Sequence, residues 1–599
     1  MSVPPGAAPR LDPQSVPMTE PFVLGVNAAY HESAAVLMRG SEVVLAVEEE
    51  RYTRTKHAKP SRIDNPDQLP LRAIAACLEA GEVRLRDVDA VGYSLMPGRR
   101  QQTIGADPYR VLPRNFGSRA GEIEFDRRVR LVPSLLALEA GDPTFESRVR
   151  FLPHHRAHAA SAFYASQFQD AAVLVIDGIG EDATAWLGVG SDDGLELLEE
   201  VPYPHSLGLV WERVAIYLGF GEYDAGKVMG LAAHGDASRW LPKFDPLLCV
   251  PDPEGKGLFP FLVDPAVARF RGGDVKGLEK LFGPRCPKGG DSLEPRFADL
   301  AAALQQRTEE ALLATARKLA RISGKKHLAY AGGVALNCVA NTRLEREGPF
   351  EAIYVQGAAN DAGTALGAAY LLAHELGVEL PRRPNPLPPL LGPRFDADAI
   401  DAAIAEAGLQ AERLEDPAAH VAKLLDEGAV VGWFQGRLEF GPRALGNRSL
   451  LVDPRRAEAR ERLNKSVKHR ELFRPFAASI LSSEAGDWLE LPDRQPGARE
   501  SRDLMILAYP VRPEQRERIP AVVHEDGTCR IQLVDSRDTP EYHALISAFF
   551  VLTGVPLLLN TSFNDQEPIV ATPAQALATF KRTGIDAVVL GDRLVRRAP

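Results

Sequence analysis

The stretch His327-Leu-Ala-Tyr-Ala-Gly-Gly-Val-Ala-Leu-Asn337 reads as an apolar strand that runs through Gly332-Gly333 into a helix. Residues 353 to 369, Ile-Tyr-Val-Gln-Gly-Ala-Ala-Asn-Asp-Ala-Gly-Thr-Ala-Leu-Gly-Ala-Ala, repeat the theme and place Asn360 and Asp361 in the loop. Strand–loop–helix units of this kind mark an α/β protein. Glycine lets the backbone approach a phosphate, and a helix N-terminus favours an anion. A lone Gly-Gly more often marks close packing; two polar-bordered turns in succession favour a nucleotide.

Upstream lies Pro153-His-His-Arg-Ala-His-Ala-Ala-Ser-Ala-Phe-Tyr-Ala-Ser166, whose alanines favour a helix. His154 and His158 then share one face a turn apart, a spacing that grips a metal ion. The strand that follows, from Ala171, ends in Asp177, a third oxygen or nitrogen donor at a strand end. The metal reading is favoured by a small margin over surface histidines on an ordinary helix.

The chain opens with three strands, from Phe22, Ser33 and Glu42, which puts Tyr30, His31 and Glu32 in the first loop. A charged patch follows from Glu48 through Arg51, Arg54, Lys56, His57 and Lys59. Residues 70–150 mix helix and loop. Gly226, Lys227 and Gly230 form a flexible segment without the Gly-Lys-Ser/Thr ending of a Walker loop, and 297–320 make an amphipathic helix.

At 599 residues the chain needs at least two domains. Its 45% hydrophobic and 25% charged residues are those of a soluble globular protein, and a net charge of −11 argues against nucleic-acid or anionic-membrane binding. Five scattered cysteines form no disulfide framework, and with no apolar leader or membrane span in view the expectation is a cytoplasmic protein. The expected division is a flexible tail over 1–20, a first domain over 21–380 and a second over 381–599, joined by the proline-rich stretch 375–395.

The second domain holds the densest chemistry. Gly436 to Ser449 sets Arg437, Arg443 and Arg448 among glycines; Asn464 to Phe476 carries Lys468, Arg470 and Arg474; Arg530 and the Pro556–Asn564 run follow. Arginine forks and lysine charges interleaved with Pro, Phe and Gly point to an anion site more than to a solvated face.

Taken in order, eight strings resemble the carbamoyltransferases of the NodU/CmcH type, from about residue 22 to 595. They are Glu48–His57, His154–Tyr164, Asp224–Ala232, Ala331–Asn337, Asn360–Ala369, Phe440–Ser449, Lys468–Ala477 and Leu559–Asn564. The resemblance implies a TsaD-like domain on the duplicated actin/hexokinase (ASKHA) α/β fold, followed by a YrdC-like α/β domain. It also implies a two-stage reaction: carbamoyl phosphate and ATP give a carbamoyl adenylate in the second domain, and the first passes the carbamoyl group to a hydroxyl of a small acceptor. By the same resemblance, Arg443, Lys468, Arg470, Arg474 and Arg530 hold the phosphates, and Asn560, Ser562 and Asn564 bond carbamoyl or nucleotide. His154, His158, Asp177 and Asp361 bind divalent iron or a related ion, and Lys56, Lys227, Gly332, Gly333 and Asn360 contact the nucleotide. His31 is the expected base, with Glu32 where the family commonly has Asp. Loops around 95–135 and 200–215 are expected to shape the acceptor pocket; the acceptor and any homo-oligomer stay open. The competing readings are an actin-fold kinase or ATPase and a nucleotide-sensing module.

Overall fold

The structure, a computed structural model, describes residues 20–57, 65–100, 119–221, 223–265, 267, 275–289, 293–380, 383–492 and 501–597. The expected tail, apart from residue 20, lies outside them, as do Lys59 and residues 101–118 of the expected acceptor loops.

Strands β1 (Phe22–Asn27), β2 (Ala34–Arg39), β3 (Glu42–Glu48), β4 (Ala90–Tyr93) and β5 (Val149–Phe151) form one sheet ordered β3-β2-β1-β4-β5. β2 runs antiparallel to both its neighbours, while β1, β4 and β5 are parallel. A second sheet uses β6 (Ala171–Ile176), β7 (Ala183–Ser191) and β8 (Gly194–Pro202). A short ribbon, β9 (Leu248–Cys249) with β10 (Leu262–Val263), intervenes before β11 (His327–Ala331) and β12 (Ala352–Val355) complete the sheet. Its order, β12-β11-β6-β7-β8, with parallel β6, β11 and β12, repeats the first sheet strand for strand. The first unit therefore has the duplicated actin/hexokinase-type α/β fold. β6 reads as unbroken apolar sequence because it is the central strand and every residue of it is buried.

Each half ends in a helix: α1 (His154–Phe163) after β5, and α2 (Ala362–Glu375) after β12. Both are buried nearly all round, and small residues let them meet. A Cβ at Gly367 would lie 1.7 Å from the Ala157 carbonyl oxygen, so only glycine permits this approach. The pairing brings the two helix N-termini together at one end of the sheets, beside the loops after β1 and β6.

The second unit is a nine-stranded mixed sheet with helices around it. It comprises β13 (Glu412–Arg413), β14 (Val431–Phe434), β15 (Arg448–Val452), β16 (Ala477–Leu481), β17 (Ala508–Pro510), β18 (Thr528–Val534), β19 (Leu557–Ser562), β20 (Ala587–Leu590) and β21 (Arg593–Arg596). The proline-rich stretch before it is a packed strap. Leu387 and Leu391 are buried, the Leu387 N–H donates to the Ala165 carbonyl at 2.8 Å, and the Phe440 N–H donates to the Pro389 carbonyl at 2.8 Å. Further bonds tie the units: Arg51, paired with Glu48 at 2.8 Å, donates to the Gly441 carbonyl at 2.7 Å, and Asn341 donates to the Ile506 carbonyl at 3.0 Å.

Candidate functional site

α1 starts at His154 and α2 begins directly after Asp361, so the helix pair delivers three side chains to one point; Asp177, just past β6, supplies the fourth. His154 Nε2 lies 3.4 Å from Asp177 Oδ2 and 3.6 Å from Asp361 Oδ1, and His158 Nε2 lies 3.5 Å from each of the same oxygens. All four ligand atoms fall within 4.8 Å of one another, and all four residues are buried. Ligand bonds of about 2.1 Å in a tetrahedron put donors about 3.4 Å apart, so the spacing suits a transition-metal ion. Neither Nε2 has a hydrogen-bond partner. The ring of His154 is turned by its Nδ1, which donates to the Ser94 carbonyl at 3.1 Å. Asp177 Oδ1 accepts the Gly333 N–H at 3.0 Å, leaving Oδ2 for the cluster. The residues present fit a divalent ion.

The electrostatics agree. Burial opposes charge on His154, yet Asp361 and Asp177 hold it well above the usual histidine range. Burial works to raise both carboxyls, and the imidazoles hold them below the carboxylate range, His31 and His154 acting on Asp361, His154 and His158 on Asp177. Two carboxylates this close need a cation between them. The remaining histidine, His155, is pushed down to about 3 chiefly by burial.

The cluster opens into a mostly apolar chamber of about 350 Å³ lined by Tyr30, Ile179, Leu209, Trp211, Tyr223 and Leu336, with Asp177, Asp361, His31 and Glu212 among its polar groups. Glu32 sits between two imidazoles: its Oε1 meets His57 Nδ1 at 2.6 Å and its other oxygen meets His31 Nδ1. The extra methylene relative to Asp lets one carboxylate reach both.

A second cavity of about 640 Å³ adjoins it, lined by Lys56, Lys227, Arg443, Lys468, Arg470, Arg474, Arg530, Asn560, Ser562 and Asn564. Burial and mutual repulsion depress Lys56, Arg443, Lys468, Arg470 and Arg474. Lys468 is held well below the lysine range by burial and by Arg470, Arg474 and Lys56; Arg470 is depressed by burial and by Arg474 and Arg530. Arg443 is lowered by burial and by Arg530 and Arg474. Lys468 Nζ is fixed by Asn564 Oδ1 at 2.7 Å and the Asn564 carbonyl at 3.0 Å, whereas Arg443 Nε, Arg530 Nε and one terminal nitrogen of Arg470 have no hydrogen-bond partner. A multiply charged anion supplies what this cavity lacks.

Residues 22–370 match the family model "Carbamoyltransferase N-terminus" and residues 422–597 match "Carbamoyltransferase C-terminus". The chain belongs to the carbamoyltransferase family. Nodulation protein NolNO of Sinorhizobium fredii is 39% identical over 576 residues, 95% of this chain and 80% of that one. Nodulation protein NolO of Bradyrhizobium diazoefficiens is 39% identical over 450 residues, 74% of this chain and 79% of that one. The 3'-hydroxymethylcephem-O-carbamoyltransferase of Amycolatopsis lactamdurans is 31% identical over 323 residues, 52% of this chain and 56% of that one.

In this carbamoyltransferase the residues singled out by sequence gather at the two cavities, with some redistribution. Gly333 lines the first chamber, but Gly332 turns at φ +95° against Ile176, whose carbonyl oxygen would lie 2.3 Å from a Cβ there, so its glycine serves packing. Lys227 stands on a helix, Ala225–Ala232, not in a flexible segment, because Val228 and Leu231 are buried; it pairs with Glu471 at 2.9 Å. Of the three arginines in 436–449, Arg443 lines both of these cavities, and Arg437 and Arg448 line neither. Arg437 donates to the Gly392 carbonyl at 2.9 Å and the Val44 carbonyl at 2.8 Å, and Arg448 stacks on Phe434 at 3.6 Å. Asn560 lines the cavity but donates to Ser479 Oγ at 2.9 Å.

Two supporting acids escaped the sequence reading. Glu181 accepts the His154 and Met96 N–H groups, each at 2.9 Å, and so fixes the start of α1. One oxygen of buried Glu439 accepts three N–H groups, from Leu445, Asn447 and Arg448, at 2.7 to 3.1 Å, which shapes the loop bearing Arg443. The matching loops 28–33 and 177–182, equal in length after β1 and β6, were the available signal for Glu181. Among the described residues no helix is long and apolar enough to cross a membrane.

Proposed function

We propose that this carbamoyltransferase is an ATP-dependent O-carbamoyltransferase working in two adjoining chambers. In the cationic cavity, water takes the phosphoryl group from carbamoyl phosphate, giving carbamate and phosphate. A carbamate oxygen then attacks the α-phosphorus of ATP, forming carbamoyl adenylate and expelling pyrophosphate. In the chamber with the His–Asp cluster, the hydroxyl oxygen of a small acceptor attacks the carbamoyl carbon. The bond from that carbon to the AMP oxygen breaks, leaving a carbamate ester, AMP and the acceptor's proton.

The observation that carries this reading is the shared wall. Glu32, Tyr223, Met229, Asn360, Pro442 and Arg443 line both cavities, so an intermediate made in one stands at the edge of the other. Arg443, Lys468, Arg470, Arg474 and Arg530 neutralise and polarise the phosphates. Ser562 and Asn564 hold Lys468 in place, and Asn560 borders the carbamoyl end. Lys56, Lys227, Gly333 and Asn360 stand along the nucleotide's path, and Gly332 shapes the turn beneath it. His154, His158, Asp177 and Asp361 would hold a divalent ion, with iron the ion the family resemblance implies, and such an ion supplies a Lewis acid for a phosphate oxygen. His31, steadied by Glu32, is the base placed to receive the acceptor's proton. The cephem relative's name puts its carbamoyl on a hydroxymethyl group, which supports a hydroxyl acceptor here.

The test is exchange of labelled pyrophosphate into ATP. Exchange that requires carbamoyl phosphate is expected. No exchange, with ADP and a phosphorylated acceptor instead, would establish an actin-fold kinase in its place.

A further inference from the structure

Ahead of Lys468 the chain makes one π-helical turn, Leu463–Val467, and then passes through His469 in the left-handed region at φ +44°. Such wide turns are rare and cluster at functional sites. Fully buried in this one is Asn464, which the phosphate chemistry does not itself use. Its Oδ1 accepts the Arg470 Nε–H at 2.7 Å, and its backbone carbonyl accepts the Arg470 N–H at 3.2 Å. Arg470 is thus gripped at both its backbone and its guanidinium. The guanidinium lies over the Phe476 ring at 4.6 Å, and one terminal nitrogen remains without a partner in the cavity.

We infer that Asn464 is a positioning residue for anion binding: it fixes the fork of Arg470 so that the terminal nitrogens face the phosphates. A guanidinium surrounded by Arg474 and Arg530 is otherwise repelled from its place. An acceptor on Nε offsets that repulsion, and because it is a neutral amide it leaves the positive charge intact for the substrate. A carboxylate there would also hold Arg470 but would cancel the charge.

The inference rests on the reading of this cavity as the carbamoyl phosphate and ATP site. That reading falls if the unaltered protein shows no carbamoyl-phosphate-dependent pyrophosphate exchange. Given exchange, Asn464→Ala is expected to raise the KM for carbamoyl phosphate or ATP about tenfold while kcat stays within about threefold, the pattern of lost ground-state binding. In an Arg470→Lys background, which keeps a charge but has no Nε, the same substitution is expected to change KM by less than about threefold. An effect of equal size in both backgrounds, or no change of KM in the first, overturns the inference. If Asn464→Ala does not fold, Asn464→Ser replaces it, since its hydroxyl is too short to reach Nε. Failure of both variants to fold would mark Asn464 as a residue of the fold and also overturn the assignment.

Discussion

Around His154 and His158 two carboxylates face two imidazoles at 3.4 to 3.6 Å, and their nitrogen and oxygen atoms converge on one point. Around Lys468 the reverse holds: arginines and lysines crowd together, and several of their N–H groups have no acceptor. The first arrangement needs a cation and the second needs anions. Only the second is unfavourable as bare protein, since burial and like charges depress Lys468 and Arg470, whereas at the other point the imidazoles hold both carboxyls below the carboxylate range. The difference teaches that the chambers are specialised by charge, and that fold stability has been traded for binding in the cationic one.

The largest effect is expected from removing a member of the cationic set. Lys468→Ala should lower carbamoyl-phosphate-dependent pyrophosphate exchange about 10²–10³-fold, read in the exchange assay; exchange at the original rate would remove this cavity from the chemistry. Next is the cluster. His158→Ala should lower bound divalent metal, measured by elemental analysis, and cut acceptor carbamoylation about 10²-fold with exchange retained. Equal metal content before and after would refute the ligand assignment.

A smaller effect is expected one layer out. Gly333→Ala brings a Cβ within 2.9 Å of Asp177 Oδ1 and disturbs the bond that turns Oδ2 toward the cluster. Metal affinity, titrated with Fe²⁺ or Zn²⁺, should weaken about tenfold. The smallest effect sharpens the charge contrast. The folded-state pKa of Lys468 lies below its unfolded value, chiefly through burial. Below both values the lysine is charged in both states and the native state bears the full cost. As pH rises through the lowered folded value the native state sheds its proton first and the cost is relieved. Pyrophosphate should therefore raise the melting temperature by about 3 °C where native Lys468 is still protonated, and by less as pH rises through the lowered folded value toward the ordinary lysine value. A constant shift across that range would contradict it.

Much of this was legible in the sequence, and the reasons are local. His154 and His158 declare themselves by helical spacing, and β6 and β11 by unbroken apolar runs. β4 and β5 were hidden in the 70–150 stretch because they are too short for a periodic pattern. Only parallel pairing, Val23 with Ala90 and Val91 with Val149, makes them strands. Arg437 and Arg448 looked like anion ligands because composition cannot distinguish a guanidinium facing a cavity from one facing carbonyls or a Phe ring. Glu439 and Asn464 act through backbone groups and neighbouring side chains, a role that leaves no spacing to read, and Glu181 could be reached only through the equal loops after β1 and β6.

The central claim is that activation and transfer are separate events in adjoining chambers. It is tested most directly by assaying His158→Ala and Lys468→Ala side by side for pyrophosphate exchange and for carbamoylated acceptor. The account predicts that His158→Ala keeps exchange and loses transfer, while Lys468→Ala loses both. If His158→Ala abolishes exchange as completely as Lys468→Ala does, the two chambers are not separate stations.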